Sequence, residues 1–292
     1  MDTVKNTVPT QPNIPSDIIN RMTAQPAPQV AAVAKQPSAD AMDTGMPPSR
    51  YLFYDDKSKF MLKPITVHEE KIFATSQFVK DGTALDKVIQ SCLESSTVPI
   101  DRILMCDKVF LMVRLRQITY GNTYDISVKC AACGNKYDDT IDLTKLPIMY
   151  LDENVTPESL VVTLPKSKHI IRYKLLTNGD ESQIDKMQKA RAQTKSKKNL
   201  VDETMVDRMV MSTVTFDGNE LNDDELAKTY EKLHAQDSEA FRDEILSKNM
   251  GVGFEIISDC SKGDCDNENT LMMPLNENFF RSTRRRTSAI KI

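Results

Sequence analysis

Cysteine spacing constrains this chain more than any other feature. Cys130 and Cys133 lie in a Cys-x-x-Cys-Gly turn within YDISVKCAACGNKYDDTIDL, with strand-like alternation on both flanks. Only small or turn-forming residues accompany Cys130, Cys133 and Gly134, so the backbone can curl around one ion and aim both sulfurs at it. A second pair, Cys260 and Cys265, lies far downstream in FEIISDCSKGDCDNENTLMMPL, again between two strand-like apolar runs. Two such pairs suit a tetrahedral site with Zn–S bonds near ~2.3 Å, and four thiolates close the shell with no position left for water. The expectation is therefore a structural zinc on Cys130, Cys133, Cys260 and Cys265. The looser Cys-x-x-x-x-Cys spacing leaves open whether both sulfurs of the second pair bind. Two other readings stand beside this one. A redox pair needs a Cys-x-x-Cys at a helix N-terminus after a strand, whereas strands flank this one on both sides. Plain buried cysteines are the reading for Cys92 and Cys106, which lie in helical, apolar surroundings.

Composition bounds the remainder. The 292 residues, 40% hydrophobic and 27% charged, suffice for one sizeable core or two small ones. A net charge of −4 gives no global attraction to nucleic acid or an anionic membrane. No run approaches the ~18 apolar residues of a membrane span, and the N-terminus lacks the pattern of a signal peptide. Cysteine usage of this kind fits a reducing cytosol better than a disulfide framework.

Residues 1–48 hold eight of the 14 prolines and no aromatic residue, so they read as a disordered arm. Within it Ser16–Met22 reads either as a short docking motif or as a chance apolar cluster. The body, 49–280, opens with short strands and then helices. Thr66 and Glu69 form a capping box ahead of Ile72, Phe73 and Phe78. Leu85, Val88, Ile89 and Cys92 mark a second helix over 83–94, and 101–118 is the most apolar helix of the chain. Arg114 and Arg116 project ~200° apart on that helix, and either an acidic core partner or solvent would suit them. Beyond the first cysteine hairpin, 159–165 and 169–177 predict a strand pair joined by a Lys166–Lys168 turn, with His169 as a strand residue. Helices are predicted over 180–195, 202–214, 222–235 (with an Asn222–Glu225 capping box) and 238–248. The basic run at Lys195, Lys197 and Lys198 reads as a solvated loop. The fold class is thus α+β: a zinc-ribbon-like pair of hairpins with an inserted strand pair and helices, preceded by N-terminal helices.

Residues 281–292 form a basic tail in which Arg281, Arg284, Arg285, Arg286 and Lys291 stand with no acid among them. With Phe279 and Phe280 anchoring its root, these residues are the candidate partner-binding set, and an acidic protein surface is the favoured partner. Nucleic acid is disfavoured, because the chain is net negative and shows no aromatic stacking platform. No catalytic constellation is present: the three histidines are widely spaced, and there is no Gly-rich phosphate loop, Gly-x-Ser-x-Gly or His-Glu-x-x-His. A non-enzymatic role is expected.

The order of motifs resembles a known family. Asp107, Phe110-Leu111 and Leu115-Arg116 lead through Tyr120-Gly121 and Tyr124 into Cys130-x-x-Cys133-Gly134. Leu164-Pro165, Leu175-Leu176-Thr177 and Asp180-Glu181 follow, then Gly251-Val252, the second cysteine pair, Met273-Pro274-Leu275 and Phe279-Phe280. Over about residues 50–280 this is similar to the T4-type bacteriophage baseplate proteins, whose members act in assembling the central hub of a contractile tail. The resemblance implies other baseplate hub or tail proteins as partners, possible oligomers within the baseplate, and a location in the virion or, during assembly, the host cytoplasm. The N-terminal arm, the arginine-rich tail and the Cys260–Cys265 spacing fall outside the pattern. The alternative is a zinc-ribbon accessory protein that binds nucleic acid.

Overall fold

Short extended pieces that pair over long sequence distances open the fold. In the computed structural model, which describes residues 37–55, 59–94, 98–194, 203–248, 250–273, 275 and 277–280, β1 (Met42–Asp43) pairs antiparallel with β2 (Met61–Leu62), and β2 pairs with β3 (Leu93–Glu94). Residues 37–48 thus join the body rather than the arm, and Pro47 and Pro48 are buried. Residues 1–36, including Ser16–Met22, lie outside the described residues, as do 195–202 with their lysines and 281–292.

Three helices run between β2 and β3: α1 (Val67–Ala74), α2 (Ser76–Asp81) and α3 (Ala84–Cys92). The Thr66–Glu69 capping box forms as expected, but the helix stops at Thr75, whose extended backbone restarts the chain as α2. Glu69 is almost wholly buried and accepts hydrogen bonds from the Thr66 N–H (2.9 Å) and the Ser91 hydroxyl (2.6 Å). It thereby ties α1 to α3, which buries Ala84, Val88, Ile89 and Cys92.

The apolar stretch expected from 101 becomes a helix later. A 3-10 turn at Ile100–Arg102 precedes α4 (Met105–Tyr120), which starts after an extended Leu104. Helix α4 is buried over most of its circumference. Its buried Asp107 accepts from the Ser49 N–H (3.0 Å) and hydroxyl (2.5 Å) and from the Tyr54 hydroxyl (2.7 Å), fixing residues 49–54 to the helix. Arg116 has neither of the expected partners. It is 2% exposed, lies over the rings of Tyr120 (4.7 Å) and Tyr124 (5.7 Å), and its Nε and Nη1 have no hydrogen-bond partner. Arg114 packs over Phe110 and donates to Gln117.

Then come the hairpin β4 (Thr123–Lys129) and β5 (Lys136–Asp142), β6 (Ile148–Met149), and the pair β7 (Val161–Thr163) and β8 (Ile170–Tyr173). Helices α5 (Asn178–Thr194) and α6 (Thr204–Ser212) follow. The expected strand pair is a three-stranded sheet, because β9 (Thr213–Phe216) pairs with β8. The helix predicted over 202–214 includes Thr213 and Val214, which are extended here. The run Thr213-Val214-Thr215-Phe216 is β-branched and aromatic, and it takes the extended state once β8 offers an edge. Helix α7 (Asp223–Tyr230) carries the predicted Asn222–Glu225 capping box but stops at Tyr230, and α8 (Ala235–Ser247) starts before Ser238. Finally β10 (Gly251–Val252) pairs with β6, and the hairpin β11 (Glu255–Asp259) and β12 (Glu268–Met272) follows. The architecture is mixed helix and strand with several small sheets. The β6–β10 pairing returns the chain beside its first hairpin.

Burial alone would raise the Glu69 carboxyl, but donation from Ser91 and Thr66 outweighs it and holds the group at about 2. With an unfolded value near ~4.3, the stabilisation is complete above that pH and is lost as pH falls through about 2. Glu69→Gln should cost about 1–2 kcal/mol near neutrality. Denaturant melts of both proteins should show the difference shrinking steadily below about pH 4; a constant difference would refute the assignment.

Candidate metal centre

Each cysteine pair is presented by the turn of its own hairpin. After β4 the Cys130 N–H donates to Asn135 O (2.8 Å), and the Gly134 N–H to Cys130 O (3.0 Å). Gly134 takes φ +71°, a conformation that glycine adopts without strain. After β11 the Cys260 N–H donates to Asn267 O (3.1 Å), while the Cys265 N–H donates back to Lys262 O (2.9 Å). That inner turn absorbs the two extra residues of the longer spacing and swings Cys265 back beside Cys260.

The four sulfurs converge, lying within 4.8 Å of one another. Cys130 Sγ is 3.8 Å from Cys265 Sγ, and Cys133 Sγ is 3.7 Å from Cys260 Sγ, so the close contacts cross between hairpins. Disulfides would need about 2.05 Å, and all four cysteines are free. A tetrahedron with metal–sulfur bonds of ~2.3 Å has sulfur–sulfur edges of about 3.8 Å. The donor set therefore fits a metal ion held by both pairs.

Burial is graded across the site: Cys130 is buried, Cys260 and Cys265 are half-buried, and Cys133 is exposed. As thiols the four compete for little negative charge. The Cys133 N–H, followed by other donors that include Asn269, draws Cys130 down to about 6. The Asn267 N–H acts to lower Cys265, but contact with Cys133, desolvation and the neighbouring thiols push it up to about 12. Cys260 is likewise raised: the Lys262 N–H opposes the shift, but desolvation and contacts with Cys133 and Cys130 prevail. A divalent cation reverses this repulsion and displaces the remaining protons, so metal binding weakens as pH falls.

A polar joint between the hairpins holds the pairs in register, and its members were not identified from sequence. The Tyr137 hydroxyl, on β5, lies 3.1 Å from Ser258 O, to which it donates, and 3.1 Å from Ser258 Oγ. Asn269 Nδ2, on β12, donates to the Tyr137 hydroxyl (3.1 Å), and Asn269 Oδ1 accepts from the Ala131 N–H (2.9 Å). Ser258 donates in turn to Asp139 (2.5 Å). The available signal was one polar residue among the inward positions of each strand, Ser258 beside Ile256 on β11 and Asn269 beside Leu271 on β12, where alternation calls for apolar ones.

The other predicted site residues fare differently. Phe279 and Phe280 are in the core: Phe279 packs on Tyr124 (5.3 Å between centroids) and Phe280 stacks on Phe73 (5.4 Å). Both rings are buried rather than exposed. Arg281, Arg284, Arg285 and Arg286 lie outside the described residues. Cys92 is buried in α3 as expected, and Cys106 is half-buried at the start of α4. His169 sits beside β8 with Nδ1 2.6 Å from Asp217.

Residues 49–281 match the model of the T4 bacteriophage base plate protein family. The chain belongs to that family. Neither a curated protein nor a solved structure matches it. The part shared with the T4 base plate proteins contains both hairpins and all four cysteines, and ends before Arg284. No helix among the described residues of this base plate protein is long and apolar enough to cross a membrane.

Cobalt(II) titration into chelator-treated protein should show one ion per chain with tetrahedral thiolate absorption. Cys265→Ser should weaken that binding by about 100-fold or more. Unchanged affinity in the variant would remove Cys265 from the ligand set.

Proposed function

We propose that the chain is a structural and assembly subunit of a contractile-tail baseplate, acting at the central hub through protein contacts. The observation that carries this reading is the family match, which spans both hairpins and all four cysteines. The metal is zinc: a set of four thiolates favours it over hard cations such as magnesium and calcium. Four protein ligands leave no coordination position for water or substrate, so the ion is structural, in keeping with a non-enzymatic role. In this role the two hairpins form a zinc-ribbon-like unit whose outer surfaces hold a hub component in register. Arg281 and Arg284–Arg286, rooted by Phe279 and Phe280, add positive charge for an acidic partner surface. The site of action is the tail baseplate, or the host cytoplasm while the baseplate is assembling.

Two measurements test this. Emission spectrometry on purified protein should find one zinc per chain. Cys260→Ser should lose the zinc and lower the melting temperature by on the order of 10 °C; a wild type free of zinc would sink the structural-zinc assignment. Tagged protein co-expressed with the tail proteins of its phage should recover hub or tape-measure proteins. Recovery of nucleic acid alone, lost on deleting Arg284–Arg286, would favour the nucleic-acid-binding alternative instead.

A further inference from the structure

The β11–β12 hairpin turns one face to the cysteine-bearing hairpin and leaves the other uncovered. Glu255, Ile257 and Asp259 alternate with Ile256 and Ser258 along β11, and Glu268, Thr270 and Met272 do the same on β12, all six exposed. Ile257 is 64% exposed and Met272 72%. Ile257 lies opposite Thr270 and Met272 opposite Glu255, so the two apolar side chains are diagonal neighbours forming one step. Beyond that step Asp259 stands directly opposite Glu268, and like charges in that position destabilise a hairpin. Glu255, Asp259 and Glu268 form no ion pair with any described residue, and the one lysine of the connecting turn, Lys262, is taken by Asp264 (3.1 Å). A face of this kind is relieved by a ligand that brings cations and apolar side chains together.

The chain carries such a segment. RSTRRRTSAIKI, 281–292, contains Arg281, Arg284, Arg285 and Arg286, followed by Ile290 and Ile292. It departs from Phe280, next to Phe279 on Tyr124 of β4, and β4 belongs to the hairpin on which β11–β12 packs. Twelve residues can span up to about 40 Å, more than twice the ~17 Å of a five-residue strand. Direct attachment gives the segment a millimolar effective concentration at a neighbouring surface, which favours its own chain over a second copy.

We infer that the outer face of β11–β12 is the docking surface for this chain's own C-terminal segment. The arginines neutralise Glu255, Asp259 and Glu268, while Ile290 and Ile292 cover Ile257 and Met272. The inference goes beyond the baseplate reading and does not depend on it. A baseplate partner with an acidic surface would compete with this face for the arginines.

Zero-length carbodiimide crosslinking of the full chain tests the contact, because Lys291 is the one lysine of the segment. Monomeric protein should yield peptides joining Lys291 to Glu255, Asp259 or Glu268, and 0.5 M salt should suppress them. Timed trypsin digestion gives a second readout. Ile257→Ser/Met272→Ser changes only exposed side chains, and should speed cleavage at Arg284–Arg286 by about tenfold. Cleavage at Lys5, Arg21 and Lys35, in the same digest, should not change. Equal tail cleavage in wild type and variant would overturn the inference. So would links found only between chains, which would make a second copy the occupant, or links from Lys291 only to other surfaces.

Discussion

The convergence of four sulfurs from two hairpins is the constraint on which the rest of the structure depends. Cys130 and Cys265 are 135 residues apart. Joining points so far apart has an entropic cost of about 5 kcal/mol, and a two-stranded hairpin has little stability of its own. The β6–β10 pairing that brings the chain back involves only two residues on each side. The Tyr137, Ser258 and Asn269 hydrogen bonds add register, and each counts only if every buried member is satisfied. Coordination of an ion by the four thiolates, as proposed, would be large enough to dominate that closure.

A second chain of contacts reaches the same hairpin from the core. Arg116, on α4, is buried with no ion pair among the described residues, and desolvation lowers its pKa. Its compensation comes from the faces of Tyr120 and Tyr124. Tyr124 is also the ring on which Phe279 packs, and Phe280 continues the contact to Phe73 on α1. The first helices, the central helix, the cysteine hairpin and the chain's return therefore share one aromatic path. Asp107 clamps residues 49–54 to the opposite end of α4.

What was legible in the sequence was local. The two capping boxes at Thr66 and Asn222 are three-residue signals satisfied by their own helix, and both formed. The cysteine hairpins were legible because alternation and turn chemistry lie within twenty residues. Strand β9 was not, since its reason for being extended is an edge at Ile171–Tyr173, some forty residues earlier in the chain. The same holds for β1, whose partner lies beyond a turn from the expected arm, and for β6 with β10. Sequence could place both cysteine pairs but could not decide the looser one. The backfolded turn from Cys265 to Lys262 brings the sulfur of Cys265 to the other three. Phe279 and Phe280 were recognised as an anchor, but their depth in the core depended on Tyr124 and Phe73, which no local pattern connects to them.

A closed tetrathiolate centre restricts what the neighbouring surfaces can do. An ion held by all four thiolates, as proposed, would leave no ligand position open and would add rigidity, with the outer faces of the two hairpins as the surfaces left for contact. Those faces differ. The outer side of β4–β5 mixes Lys129 and Lys136 with Asp125 and Asp138, whereas the charged residues on the outer side of β11–β12, around Ile257, Thr270 and Met272, are all acids. Both hairpins bring like charges together beside their cysteines, Lys129 opposite Lys136 and Asp259 opposite Glu268. Each repulsion would splay a free hairpin, and an ion on the four sulfurs would hold the strands together against it. The convergence of the four sulfurs thus sets a pair of lysines on one hairpin near a pair of acids on the other.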